Sequence, residues 1–407
     1  MTASPAKEDE HATSPRRGFP LLWSSSAISA VGDGTYKVAA PLLAAYLTRD
    51  PVAVSLVSAA AALPWFLVGF WSGAVVDRLP RRAVMLCADL ARAAGLALLI
   101  ALLVSGVGSV PLLAVTSFLM VSGQAFFDAA SQALVPHLVG RDDDALARAN
   151  GRLFSADTAG QALIGPPLGG ALFVVAPWVP FLLTAFTFSS SAAFLAGLPK
   201  VPRPVHETEQ SLIAAAKEGF RYLFRSRTLV LLALGLTAYN VAYNIGSATL
   251  VLYVQDDLRL SEIVFGLLMA ASSVGAVATG LASARILKVL GTSGAVVGGI
   301  GLQAVGWLAL LFAPWTWFTA LAFVLLGAAS TVVTVGAVTA RQRAVPDRLL
   351  GRVVSAFRLI GNGAAPIGSA AGGFLAAGAT LRVPMVVSVI LLVITGSLIG
   401  LALRRAN

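Results

Sequence analysis

Apolar residues along this chain come in runs of about twenty or more, without the strict alternation of a half-buried strand or the single stripe of a surface helix. A bilayer core takes roughly 20 apolar residues per helix. On that ruler the sequence divides into twelve segments: 20–47, 52–76, 83–104, 110–134, 153–176, 178–198, 228–254, 262–286, 291–313, 315–340, 353–377 and 383–403. The pattern predicts an all-α membrane protein with twelve transmembrane helices.

The polar connections test the count. Lys and Arg gather before segment 1 (Arg16, Arg17) and after segments 2 (Arg78, Arg81, Arg82), 4 (Arg141, Arg148, Arg152) and 6 (Lys200 to Arg227). They gather again after segments 8 (Arg285, Lys288) and 10 (Arg341, Arg343, Arg348, Arg352) and at the end (Arg404, Arg405). The alternate loops hold only Arg49, Arg259 and Arg382. An odd number of spans would break this alternation, and the positive-inside rule places both termini in the cytoplasm, with the chain in the cell (inner) membrane. Composition agrees: 57% of 407 residues are hydrophobic and 12% charged, too few charges to cover soluble domains. The net charge of +10 then belongs to loops facing anionic lipid, so no nucleic-acid partner is implied. A lone Cys87 excludes a disulfide framework within the chain, and the three histidines (His11, His137, His206) show no metal-ligand spacing. Residues 1–18 read as a disordered cytoplasmic tail without a secretory signal.

The one long polar connection follows segment 6. Pro199, Pro202 and Pro204 stiffen its start, while Leu212, Ala216, Phe220, Leu223 and Phe224 recur at helical spacing. This predicts an amphipathic helix on the inner membrane surface and four parts: the tail (1–18), a first six-helix bundle (19–198), a linker (199–227) and a second bundle (228–405). The bundles repeat. Adding 207 carries Tyr46, Gly73, Arg78 and Arg81 onto Tyr253, Gly280, Arg285 and Lys288. Adding 200 carries Gly151, Arg152, Ser155, Ala156 and Pro166 onto Gly351, Arg352, Ser355, Ala356 and Pro366. Adding 210 carries Gln132, Val135 and Pro136 onto Gln342, Val345 and Pro346. A parallel repeat whose halves both start inside is a transporter architecture with its substrate site near the midplane.

Two motifs carry a family resemblance. Segment 2 ends in GAVVDRLPRR (Gly73, Asp77, Arg78, Arg81, Arg82), which resembles the loop signature of the major facilitator superfamily. Segment 5 contains GPPLGG (Gly165, Pro166, Gly169, Gly170), similar to a motif of that superfamily's drug:proton antiporters. Asp89, Arg92, the stretch FFDAASQALVP and the twelve-span length resemble the branch of enterobactin exporters and macrolide efflux proteins. The resemblance implies two pseudo-symmetric six-helix bundles and a gating role for both motifs. It also implies a contact in which Asp77 caps segment 11 near Arg352 and locks the cytoplasmic side. Segment 4 departs from the family in lacking the Arg of many proton-coupled members.

Segment 1 carries opposite charges, Asp33 and Lys37, four residues apart on one helix face. A charge at a helix centre costs about 2.5–3.5 kcal/mol on insertion scales, so the pair must face itself or a wet cavity. Under the 207 register they map onto Asn240 and Asn244 of segment 7. In the family these helices line the central cavity. Asp33 and Lys37 are therefore the candidate proton-coupling pair. Tyr36, Gln124, Phe127, Asp128, Tyr239, Asn240, Tyr243 and Asn244 are the candidate substrate lining. None of the five lysines is followed by Ser or Thr, so no phosphate-binding loop supplies ATP energy, and no cofactor is implied. The reading is a monomeric, proton-coupled exporter of a small amphipathic compound, antibiotic-like or siderophore-like, working by alternating access. Proton-driven import of a nutrient is the rival on the same fold, and a membrane receptor or enzyme the alternative of another class.

Overall fold

Each apolar run is helical wherever the chain is described. The computed structural model describes residues 18–404 apart from 69–71, 73–74, 77, 141, 200–211 and 314. Segment 1 is one 30-residue helix, Gly18–Leu47, about 45 Å long at 1.5 Å per residue and so long enough to cross a bilayer. Segment 2 starts at Pro51, where the missing N–H costs nothing and the Asp50 carboxylate accepts from the Val52 amide at 3.0 Å; its helix runs to Leu67. Segments 3, 4, 6, 10 and 12 form Arg81–Val104, Val110–Val139, Val179–Ala196, Thr316–Ala344 and Val383–Arg404. No strand occurs among the described residues.

Segment boundaries shift where capping outweighs hydropathy. Segment 5 begins at Asp143, ten residues before its apolar run, because the Asp142 side chain accepts from the Ala145 amide at 2.9 Å and acids fill the first turn. Segments 8 and 9 share one 50-residue element, Glu262–Leu311, broken at Gly291 with φ 67° and ψ 175°, a backbone conformation that glycine alone adopts freely. Three interruptions are invisible to a hydropathy count. Segment 5 contains a π-helical stretch, Thr158–Ile164, immediately before GPPLGG. Segment 7 ends as a short helix, Leu250–Leu252, and a π turn, Tyr253–Asp257. Segment 11 is split at Ala364 into Asp347–Gly363 and Ala365–Gly378, just before Pro366, whose ring cannot donate to the preceding turn.

Segments 1 to 6 pack mainly on one another, as do 7 to 12, which gives the all-α fold of two pseudo-symmetric six-helix bundles. Large apolar side chains such as Leu98, Phe186, Leu281 and Phe312 stand on the outside, as a lipid-facing surface requires. The bundles meet through segments 2 and 11 and through 5 and 8. These contacts lie toward the face opposite the chain's ends. There Gly170 and Gly266 bring segments 5 and 8 into backbone contact, and Gly373 of segment 11 lies against Ser55. An exposed ion pair crosses the same face, Arg49 Nη1 to Asp256 Oδ1 at 3.2 Å, with a hydrogen bond to Gln255 Oε1 at 2.9 Å.

The linker helix, Leu212–Arg225, is docked on protein as well as amphipathic. Gly219 fits against the Arg352 backbone, the Glu218 carboxylate pairs with Arg352, and the Tyr222 hydroxyl donates to Ala344 O at 3.3 Å. Leu223 is fully buried. Leu223 of the helix's apolar face thus packs on protein, while Phe224 of the same face stays exposed.

Candidate functional site

Segment 1 runs through the middle of the first bundle, touching segments 2, 4, 5 and 6. Close approach fixes it there: a Cβ on Gly165 would stand 2.6 Å from Gly34 Cα, so segments 1 and 5 cross backbone to backbone. This crossing sets Asp33 and Lys37 beside the π-helical stretch of segment 5.

Asp33 is neutralised by Arg92 of segment 3 and not by Lys37. Arg92 Nη1 donates to Asp33 Oδ1 at 2.9 Å. The same guanidinium pairs with Asp89 one turn away and donates to Ser29 Oγ at 3.1 Å. It also lies 3.9 Å from the Phe188 ring centroid and 5.5 Å from that of Phe127. A fully enclosed guanidinium needs paired carboxylates and ring faces of this kind, since an unpaired buried ion costs several kcal/mol, although Arg92 Nε and Asp89 Oδ2 stay without a hydrogen-bond partner among the described residues. Gly123 of segment 4 leaves the room for its stem, where a Cβ would stand 2.7 Å from Arg92 Cγ and Cδ. Asp89 and Arg92 side chains are 0% exposed, whereas Asp33 retains 14%. Of the two carboxylates sharing Arg92, Asp33 alone is reachable.

Lys37 is exposed, and the charge it feels is that of Asp157 on segment 5, also exposed. Asp157 accepts from Gln161 Nε2 at 2.6 Å, and Gln161 Oε1 accepts from Gln124 Nε2 at 3.4 Å. The π bulge carries Gln161 into this chain. Asp128 is half-buried within electrostatic reach of Asp33, Asp157 and Arg92. The first bundle therefore collects four carboxylates around one guanidinium and one ammonium.

The second bundle's counterpart is neutral. Asn240 Nδ2 donates to Gly361 O at 2.9 Å, and Ser369 Oγ donates to Asn244 Oδ1 at 3.3 Å. These contacts brace the two sides of the Ala364 interruption in segment 11, which leaves backbone groups in need of partners. Tyr243 is 39% exposed, with its ring roughly parallel to Tyr239 at 6.5 Å between centroids and tilted by 54° to Trp307 at 6.4 Å.

Of the predicted lining, Lys37, Gln124, Asp128, Asn240, Tyr243 and Asn244 retain access, and Asp33 joins them. Tyr36 and Tyr239 instead turn into their own bundles, because a buried phenol needs a partner and finds one there. The Tyr36 hydroxyl bonds Ser117 Oγ at 2.8 Å, and the Tyr239 hydroxyl donates to Gln303 Oε1 at 3.2 Å. Phe127 is buried against Arg92. Sequence reasoning passed over Arg92 and Asp89 as site residues, although two charges at i,i+3 inside segment 3 are the same signal that marked segment 1. Gln161 carried no such signal.

Among the candidate gating residues, Gly73 and Asp77 lie outside the described residues, so the latch is not seen. Arg78 is exposed, Arg81 hydrogen-bonds the His137 ring with 2.9 Å to Nδ1, and Arg82 donates to Ala196 O. Arg352 pairs with Glu218 of the linker. Gly165, Pro166, Gly169 and Gly170 are buried between segment 5 and segments 1 and 8.

Among curated proteins, the chain is 26% identical to an uncharacterized MFS-type transporter, YfiS, of Bacillus subtilis, over 95% of this chain and 93% of that one. It is likewise 26% identical to the multidrug efflux pump Tap of Mycolicibacterium fortuitum, over 91% and 92%. Two solved structures share the fold. A bacterial homologue of the iron transporter ferroportin, in an inward-facing state, has TM-score 0.76 and 18% identity over 95% of this chain and 98% of that one. The nucleoside transporter NupG has TM-score 0.78 and 12% identity over 94% and 99%. The family model described as transmembrane secretion effector (MFS_3) matches residues 12–406. A cluster of charged and polar side chains within the first of two six-helix bundles is thus found in a chain that belongs to the transmembrane secretion effector family of the major facilitator superfamily, a multi-pass membrane transporter of small molecules and not an enzyme.

Proposed function

We propose that this transporter exports small amphipathic compounds from the cytoplasm in exchange for protons, with both termini cytoplasmic. The observation that carries the reading is the Asp33–Arg92–Asp89 cluster. One guanidinium serves two carboxylates, and of these only Asp33 keeps exposed surface through which a proton can reach it. A proton arriving on Asp33 removes its charge and loosens its hold on Arg92, while Asp89 keeps the guanidinium compensated. The bundle can then change its helix contacts without stranding a buried ion. With both termini inside, the packed face is periplasmic and the described state is closed toward the outside, ready to take substrate from the cytoplasm. The efflux function of the Tap pump supports the direction. One proton crossing 100 mV supplies about 2.3 kcal/mol, enough for a gradient of roughly fiftyfold.

The test is accumulation of rhodamine 6G and Hoechst 33342 in cells with and without the protein. Export predicts lower dye content in expressing cells and loss of the difference on adding a protonophore. Higher content in expressing cells would instead support proton-driven import, and a difference unaffected by the protonophore would remove proton coupling.

A further inference from the structure

Charge in the second bundle appears where the first bundle has its exposed acid. The 200-residue register carries Asp157 and Thr158 of segment 5 onto Phe357 and Arg358 of segment 11, so an exposed carboxylate and an exposed guanidinium stand at equivalent depth on the two pseudo-equivalent helices. Arg358 lies one turn from Gly361, whose carbonyl receives the Asn240 side chain, and positions three apart share a helix face. Arg358 therefore points to the same flank as the polar residues of segment 7.

Arg358 has a like-charged neighbour. Arg341, at the end of segment 10, lies with its guanidinium carbon 5.3 Å from the Phe357 ring centroid and feels the charge of Arg358. The Nε of Arg341 is buried without a hydrogen-bond partner among the described residues. No ion pair there involves Arg341 or Arg358, and the nearby acid of the linker helix, Glu218, is already paired with Arg352. Two guanidinium groups within electrostatic reach of each other and with no acid paired to either among the described residues form a site that an anion would complete, and the planar fork of arginine suits carboxylate or phosphate.

We propose that Arg341 and Arg358 form an anion-binding subsite on the second bundle, opposite in charge to the acidic cluster of the first, so that the preferred substrates are zwitterionic amphiphiles bearing a carboxylate or phosphate as well as a cationic nitrogen. The inference rests on the exporter reading for its biological setting but is tested by binding alone. Rhodamine B and its ethyl ester share their rings and the delocalised cationic charge on the nitrogens and differ in the free carboxylate. Thermal unfolding of the purified full-length protein in a neutral detergent is followed as each is titrated. The expected result is half-maximal stabilisation by rhodamine B at a concentration about tenfold below that of the ester, as a charge-assisted contact worth about 1.4 kcal/mol would give. Arg358→Gln lowers the response to rhodamine B to that of the ester, and Arg358→Lys restores part of it.

Equal responses to acid and ester in the unmutated protein overturn the subsite, as does an acid preference that survives Arg358→Gln. So does a lack of response to either compound, whereas the exporter reading stands or falls on dye accumulation in cells. Phosphatidylglycerol is titrated in parallel. If it stabilises the protein through Arg358 while rhodamine B does not, the two arginines hold a lipid headgroup and the substrate assignment is overturned.

Discussion

Arg92 illustrates how the energetic role of a residue follows from what surrounds it. In water its guanidinium would make an exposed ion pair worth at most about 1 kcal/mol. Enclosed, with Asp33, Asp89 and Ser29 as partners and Phe188 beneath it, the group cannot be removed without leaving two acids facing each other. Arg92→Gln is expected to destabilise the protein by about 3–5 kcal/mol, the cost of stranding a buried charge. The measure is thermal unfolding in detergent, and adding Asp89→Asn should recover part of the loss. An unfolding temperature equal to that of the unmutated protein would mean that the cluster is already protonated or hydrated. Asp33 was legible in the sequence because a charge in an apolar run has to be compensated. Its partner was not legible, because Lys37 is closer along the chain and Arg92 is closer in space. Helix periodicity ranks neighbours within one helix and is silent about which neighbouring helix faces them.

Elements show the same division. Segment count and type followed from run length alone, because a backbone in lipid has few alternatives to helix. The interruptions did not follow, since a π bulge at Thr158–Ile164 or a break at Ala364 depends on partners brought from other helices. GPPLGG acts through contact: Gly165 meets segment 1, and Gly170 meets segment 8 of the other bundle. Gly165→Leu should therefore abolish transport while Gly151→Leu is tolerated, because a Cβ at Gly151 meets nothing within 4 Å. Comparable transport by the two variants would reduce the motif to ordinary packing. Gly106, in a loop and equally open, makes a poor control because its φ of 77° strains any other residue. On the face opposite the termini, the Arg49–Asp256 pair is exposed, 58% and 39% at the side chains, and so is worth well under the energy of the whole closure. Arg49→Ala should raise the labelling rate of a cysteine placed at Ser55, in a Cys87→Ser background, by only about two- to fivefold, matching a loss of up to about 1 kcal/mol. No change in labelling would show the pair to be incidental to closure.

At the scale of the molecule, two six-helix bundles with matching helix order differ in their polar content. The first keeps Asp33 and Lys37, while the second has Asn240 and Asn244 at the corresponding positions and uses them to hold segment 11 together. The repeat was readable because depth in the membrane fixes the register. The asymmetry of charge was readable only in segments 1 and 7, since Asp128 and Asp157 gain meaning from their proximity to Asp33, Arg92 and Lys37. If the first bundle exchanges protons as proposed, the asymmetry divides the tasks: Asp33 carries the exchange, while segment 7 supplies neutral polar and aromatic surface and Arg341 and Arg358 supply the charge of the second bundle. Asp33→Asn fixes the neutral form of the exchanging acid. Arg92 then relies on Asp89, the fold is retained, and substrate still crosses downhill. Proteoliposomes loaded with rhodamine 6G should thus show equilibrative movement by the variant with no concentration above equality when a pH gradient is imposed, whereas the unmutated protein concentrates the dye. Asp157→Asn should weaken uptake at low dye concentration without ending concentration, because it touches the cavity charge and leaves the Arg92 cluster intact. If Asp33→Asn still concentrates dye on a pH gradient, the cluster around Arg92 is structural, and the proton is carried by Asp128 or Asp157, the remaining acids of that wall.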